Sequence, residues 1–227
     1  MRTEARATPV DSSSQLTPTD TATDLNLAKN TAFPIARACV FSALALAGVA
    51  WDLYSKWYVF DKLGCPGSMP VWKGSVLGLA VQFDLATTFN HGALWGIGQN
   101  QTWAFATLSF LAVGAIFYFV WTRQAVASWW LTTATGLLLA GTLGNLYDRL
   151  GLHGWRNANG RVYAVRDFLD FIFCDGAFHW ATFNFADMFL VTGAIMLVIQ
   201  SFWTPNGERS DPNAEIKSTQ ARNDVKG

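Results

Sequence analysis

Trp103-Ala-Phe-Ala-Thr-Leu-Ser-Phe-Leu-Ala-Val-Gly-Ala-Ile-Phe-Tyr-Phe-Val-Trp121 contains no charged residue and carries a tryptophan at each end. A helix needs about 20 apolar residues to cross a hydrocarbon core, and indole rings favour the two interfaces. This stretch therefore predicts a membrane span. Working outward, residues 128–146 form a second uncharged run, separated from the first by a connection short enough for an antiparallel helical hairpin. Residues 33–54 give a further span if Arg37 snorkels to one interface and Asp52 lies near the other. Residues 187–203 give another, beginning at a carboxylate.

Composition agrees with a membrane protein. Charged residues are only 14% of the chain, against roughly 25% in soluble domains. Eleven Trp and seventeen Phe suit interfacial aromatic belts. The formal net charge is zero, so the chain lacks the basic footprint that phosphate neutralisation requires, and nucleic acid is not an expected partner. Residues 1–31 and 204–227 are polar and poor in large apolar side chains, which predicts disordered tails flanking a membrane domain over 32–203. The first tail has no apolar leader core, so insertion is expected to begin at the first span.

Four crossings place both tails on one side and the two longer connections on the other. Lys and Arg weigh slightly toward cytoplasmic tails. Arg2, Arg6, Lys29, Arg37, Arg123, Arg209, Lys217, Arg222 and Lys226 lie on the tail side, against Lys56, Lys62, Lys73, Arg149, Arg156, Arg161 and Arg166 opposite. In the first long connection, Val81, Phe83, Leu85, Thr87 and Phe89 alternate with Gln82, Asp84, Ala86, Thr88 and Asn90. That period of two predicts a strand. The expected fold class is thus an all-α membrane protein of four transmembrane helices with a small extracytoplasmic β-layer.

Ionisable groups at membrane depth are costly and tend to be functional. Asp52, Lys56, Asp148, Arg149, Asp167 and Asp187 gather at the span ends that face the long connections. Any one of them could simply anchor a helix end; the gathering favours a site. Ser55 and Lys56 are adjacent on a helix and point about 100° apart, so they do not make a serine–lysine dyad. His91, His153 and His179 show no zinc spacing, and Cys39, Cys65 and Cys174 show neither a CxxC pair nor a nucleophile signature, so no metal or cofactor is expected. Pairing of Cys65 with Cys174 stays open at this stage. Carboxylates remain. Two that share one proton can hydrolyse an amide without metal or covalent intermediate, because like charges about 3 Å apart cannot both ionise.

Five blocks, in order, resemble the lipoprotein signal peptidases (signal peptidase II) of bacterial membranes. Asp52-Leu-Tyr-Ser-Lys56 is similar to the family's D-x-x-S-K block, and Asn90-His-Gly-Ala-Leu-Trp-Gly96 to its N-x-G-A-x-F-G block. Gly144-Asn-Leu-Tyr-Asp-Arg149 resembles G-N-x-x-D-R, Val165-Arg-Asp-Phe168 resembles V-x-D-F, and Phe183-Asn-Phe-Ala-Asp187 resembles F-N-x-A-D. The resemblance implies that Asp167 and Asp187 are a catalytic dyad. It implies that Asn90, Asn145, Arg149 and Asn184 position substrate or orient the dyad. Asp52 and Lys56 would hold the site's geometry, and Asp148 would stabilise rather than react.

The implied enzyme is an inner-membrane aspartic endopeptidase working near the extracytoplasmic face without a cofactor. Its substrate would be the signal peptide of a diacylglyceryl-modified prolipoprotein, cut just before the lipidated cysteine, with membrane lipid as the surrounding partner. Trp95 departs from the family's usual Phe, and a Gly- and Asn-rich insertion with Arg156 and Arg161 separates Arg149 from Val165. Because Asp167 follows that insertion, Asp170 is its rival.

Overall fold

A computed structural model describes residues 35–92, 98, 101–122 and 126–203. The expected disordered tails, the block residues Ala93 to Gly96, and Arg123 and Gln124 of the short connection lie outside the described residues.

Among the described residues four long helices form the framework: α1 (Ile35–Leu63), α2 (Thr102–Trp121), α3 (Trp129–Arg149) and α4 (Phe185–Trp203). Helix α1 runs well past the expected end at Tyr54. Its 29 residues give a length of about 43 Å. The charges that should have ended the span do not break it, because Asp52 and Lys56 are buried toward the other helices while Trp51, Tyr54, Trp57 and Tyr58 face outward. Near the start of α1, Arg37 donates to the Val126 carbonyl at 3.1 Å and the Ala127 carbonyl at 2.5 Å, tying that end of the helix to the segment before α3.

Among the described residues three helices, α1, α2 and α4, are long and apolar enough to cross a membrane. Their outward residues are apolar, among them Leu46, Leu108, Leu111, Phe117, Val191, Ile195 and Val198. Helix α3 is different: it packs against the other three and buries Thr132, Thr135, Thr142, Asn145 and Asp148. The threonine hydroxyls are satisfied locally, donating to carbonyls four residues back at 2.6–2.8 Å. These polar side chains lower its hydropathy without costing it unpaired groups. Close packing of α3 on α4 requires glycine at 141, where a Cβ would collide with the Ala186 carbonyl and the Leu190 side chain.

An antiparallel sheet caps one end, in the order β1 (Gly67–Val76), β2 (Leu79–Asn90), β5 (Val165–Phe173), β6 (Phe178–His179). The expected strand over 81–90 is β2. The segment after Arg149 folds into a small hairpin, β3 (Arg156–Asn157) with β4 (Gly160–Arg161). An all-α description therefore falls short, since β5 carries Asp167 and is a sheet element in its own right. Sequence periodicity hides β5 because Val165 to Asp170 are buried on both faces, so apolar and polar residues do not alternate with exposure. A cluster of Val59, Phe60, Phe168 and Leu169, joined by Phe89, Trp155 and Phe183, locks the end of α1 under the sheet. A second cluster of Phe41, Ala45, Ile116 and Leu139 ties α1, α2 and α3 at the other end.

Candidate active site

The site is built where β5 passes the first turn of α4. Asn184 precedes that helix, and its side-chain oxygen accepts from the Asp187 N–H at 3.1 Å. In return, Asp187 Oδ2 accepts from the Asn184 N–H at 3.1 Å. This is a reciprocal capping box, which satisfies two orphan donors and fixes the Asp187 rotamer. Asp52 adds a third cap from α1, its Oδ1 accepting from the Ala186 N–H at 2.8 Å. A carboxylate at a helix N-terminus is favoured by the helix dipole as well.

Three asparagine amides then hold the two carboxylates. Asn90 Nδ2 donates to Asp167 Oδ2 at 3.0 Å, and Asn184 Nδ2 donates to Asp167 Oδ1 at 2.6 Å. Asn145 Nδ2 donates to Asp187 Oδ1 at 2.8 Å. Asn184 therefore contacts both aspartates, one through its side-chain amide and the other through its backbone. The amide of Asn145 cannot be turned round, because its oxygen already accepts from Lys56 Nζ at 3.0 Å and from Asn184 Nδ2 at 3.2 Å.

Beneath this layer lies a buried ionic network. Lys56 is 0% exposed, and its ammonium has three acceptors for three protons: Asp52 Oδ2 at 2.7 Å, Asn145 Oδ1 and Asp148 Oδ2 at 3.2 Å. Asp148 is bound in turn by Arg166 through Nε at 3.0 Å, Nη2 at 2.8 Å and the backbone N–H at 3.0 Å. Two carboxylates and two cations thus close on one another with formal neutrality. Arg166 is the residue the sequence reading missed. Its signal was a lone arginine beside Asp167 in a strand rich in large apolar residues, where burial requires a partner.

Arg149 lies near enough to Asp187 and Asp167 to interact with their charges, while its direct contacts are to other groups. Its guanidinium lies 5.4 Å over the Phe105 ring, and its hydrogen bond runs to the Gly92 carbonyl at 3.5 Å. Asp170 is engaged elsewhere, with His179 Nε2 at 2.5 Å and the Thr182 hydroxyl at 3.3 Å. Cys39, Cys65 and Cys174 are free thiols. Among the described residues, no group of three His, Cys, Asp or Glu side chains is arranged to hold a metal ion.

The two aspartates sit in unequal surroundings. Asp167 is 1% exposed, and its carboxyl is pushed up to about 8, first by burial and then by the charge of Asp187, against the opposing pull of Asn90, Lys56 and Asn184. Asp187 instead lines a cavity of about 580 Å³. Phe171, Phe173, Trp180 and Phe183 of the sheet side form one wall, and Met188, Val191 and Thr192 of α4 form the other. The arrangement sets a buried carboxyl with a raised pKa beside a second carboxyl that opens to an apolar cleft.

Residues 44–203 match the family model for signal peptidase (SPase) II. The chain is 40% identical over 182 residues to the lipoprotein signal peptidase of Rhodopirellula baltica, covering 78% of this chain and 79% of that protein. It is 35% identical over 175 residues to that of Nitratidesulfovibrio vulgaris, covering 74% and 93%. A bacterial membrane enzyme solved by the in meso method at 2.3 Å resolution superposes with a TM-score of 0.55 at 25% identity, over 74% of this chain and 92% of that one. The chain belongs to the signal peptidase II family, membrane proteases that remove signal peptides in lipoprotein maturation.

Proposed function

We propose that Asp167 and Asp187 are the dyad of an aspartic endopeptidase that cuts a diacylglyceryl-modified prolipoprotein just before its lipidated cysteine. The observation that carries this reading is the asparagine bridge. Asn184 binds both carboxylates while Asn90 and Asn145 each hold one, so the pair is oriented without being neutralised by a cation. Asp187, open to the cleft, acts as the base and takes a proton from a water as the water oxygen attacks the scissile carbonyl. Asp167, neutral at ordinary pH, donates toward the developing oxyanion. Collapse breaks the C–N bond as the proton gained by Asp187 passes to the leaving nitrogen and a hydroxyl proton of the intermediate returns to Asp167 while the carbonyl re-forms, so the dyad again holds one proton. Because the charge of Asp187 acts on the Asp167 carboxyl, the proton is a property of the two together.

The apolar aromatic cleft beside Asp187 suits a membrane-borne signal segment and its lipid. Arg149 and the Gly92 carbonyl flank the dyad as candidates for holding substrate backbone. Helix α3 is the fourth span, made less apolar by facing the interior. Both termini are then cytoplasmic in the inner membrane, and the dyad works near the extracytoplasmic face. Incubating the purified protein with lipidated and unlipidated precursor peptides, and reading products by mass spectrometry, tests the proposal. Cleavage before the lipidated cysteine alone is the expected result. Full activity in both Asp167→Asn and Asp187→Asn would remove the dyad.

A further inference from the structure

The hairpin joining β1 to β2 ends in a sequence unsuited to water. From Lys73 the chain reads Gly-Ser-Val-Leu-Gly-Leu-Ala-Val-Gln-Phe before Asp84, with no charge between. Val76 pairs with Leu79, leaving Leu77 and Gly78 as a two-residue loop. Both have positive φ, 51° and 82°, the pattern of a type I′ turn, whose first position favours Asn or Asp. A leucine there carries a backbone conformation that bulky side chains avoid. It gains no protein contact in return, since Leu77 is fully exposed and Val76 and Leu79 are about half exposed. Met69, Val71 and Trp72 continue the exposed apolar surface along the same edge strand. Edge strands facing water are ordinarily blunted with charge, and this one has Lys73 as its single ionisable group.

The placement of the sheet says what could cover this tip. The distal part of β5, Phe171 and Phe173, forms the cleft wall that faces Met188, Val191 and Thr192 of α4. Thr192 lies about 10 Å along that helix from Phe185, where the membrane-compatible stretch begins. Phe173 is in register with Val81, two residues from the hairpin loop side of β2. The far end of the sheet thus comes down beside the apolar length of α4 instead of rising away from it. The exposed Trp51, Tyr54, Trp57 and Tyr58 of α1 mark an aromatic belt on the same molecule.

We propose that the Val76-Leu77-Gly78-Leu79 tip is a wedge inserted into the bilayer interface, anchoring the rim of the cleft in lipid. The occupant is the lipid surface itself: the patch is apolar, uncharged and narrow, and Phe173, in register with Val81 near it, shares the cleft with the apolar length of α4. This rests on the membrane-peptidase reading but concerns a surface remote from the dyad.

The test uses the full chain with Cys39, Cys65 and Cys174 replaced by alanine, carrying either Leu77→Cys or Asn159→Cys labelled with an environment-sensitive fluorophore. Each is placed at one copy per nanodisc of phosphatidylethanolamine and phosphatidylglycerol. The label at 77 is expected to be quenched by shallow doxyl lipid and shielded from iodide, while the label at 159, in the β3–β4 turn, behaves oppositely. Equal iodide access at both positions would overturn the wedge. So would shielding at 77 that arises only with several copies per disc, which would indicate contact with a second chain. Leu77→Asn keeps a residue that the turn prefers, so folding is not at risk. It is expected to slow processing of a membrane-embedded precursor about threefold to tenfold in nanodiscs and to leave processing in detergent micelles unchanged. The same rate as the unsubstituted enzyme in both settings would overturn the anchoring. The unsubstituted enzyme in the same samples reports separately on the peptidase reading.

Discussion

At the scale of single residues, the proposed dyad depends on keeping two similar carboxyl groups unlike. Asp167 is buried and Asp187 opens to the cleft, and in the proposed reaction this difference makes Asp167 the member that holds the proton. A carboxyl pushed up to about 8 is protonated below that pH and loses its proton as pH rises through it. If Asp167 is the acid, cleavage should be sustained through neutral pH and fall on the alkaline side, tenfold per unit well above the turning point. A pH–rate profile under single-turnover conditions checks this, and activity still rising past pH 10 would contradict it. Arg166 supplies a second prediction. Removing one partner of a buried ion pair costs about 3–5 kcal/mol, so Arg166→Met should lower the melting temperature in detergent clearly. It should also raise the alkaline turning point, since the network beneath the dyad would be left with an uncompensated negative charge. Arg166→Lys should restore the charge without the two-pronged contact, recovering the pH profile better than the stability. A lowered melting temperature with an unmoved profile would confine Arg166 to holding the strand.

At the scale of elements, the start of α4 is where three parts of the chain meet: its own capping box, Asp52 from α1 and Asn145 from α3. Gly144 makes this meeting possible, since a Cβ there would overlap Asp52 Oδ2 and crowd Ala186. Gly144→Ala should push Asp52 off the Ala186 N–H and tilt the first turn that carries Asp187. A misplacement of about 1 Å in such a site can cost on the order of 10²-fold in rate, and that is the expected loss in kcat, with a smaller effect on KM. Unchanged kcat would mean that Asp52 has another rotamer that still caps the helix. These contacts also explain what was readable from sequence. Helices α2 and α4 were legible because lipid faces most of their surface, so composition alone defines them. The reach of α1 was not, because Asp52 and Lys56 look like a boundary in one dimension and are interior partners in three. The motif blocks brought Asp167, Asp187 and the three asparagines forward, but not the pairing that joins Asp148 to Arg166 across 18 residues and the inserted hairpin. That contact depends on the register of β5 against β2, which the doubly buried strand conceals.

At the scale of the molecule, the helices divide the work between lipid and site. Three present apolar side chains outward, and α3 spends its surface on the other helices, with threonine hydroxyls turned back onto their own backbone. A helix so enclosed can cross a bilayer with modest hydropathy, because its neighbours, not lipid, are its surroundings. If α3 does cross, the chain has an even number of spans, the hairpin at 156–161 shares a side with the dyad, and the C-terminal tail lies opposite. In the variant lacking native cysteines, Asn159→Cys should then react with a membrane-impermeant maleimide in intact spheroplasts, as befits an exposed turn. A cysteine at Lys217 should react only after the membrane is permeabilised. If α3 instead lay within the interface without crossing, three spans would remain and positions 159 and 217 would still be separated by α4 alone, so a third label is needed. Ser109→Cys cannot serve because it lies within α2, whereas Gln124→Cys, between α2 and α3, separates the cases. With four spans, position 124 is protected together with 217. With α3 outside the bilayer core, position 124 reacts from the same side as 159, and the four-span topology would be wrong.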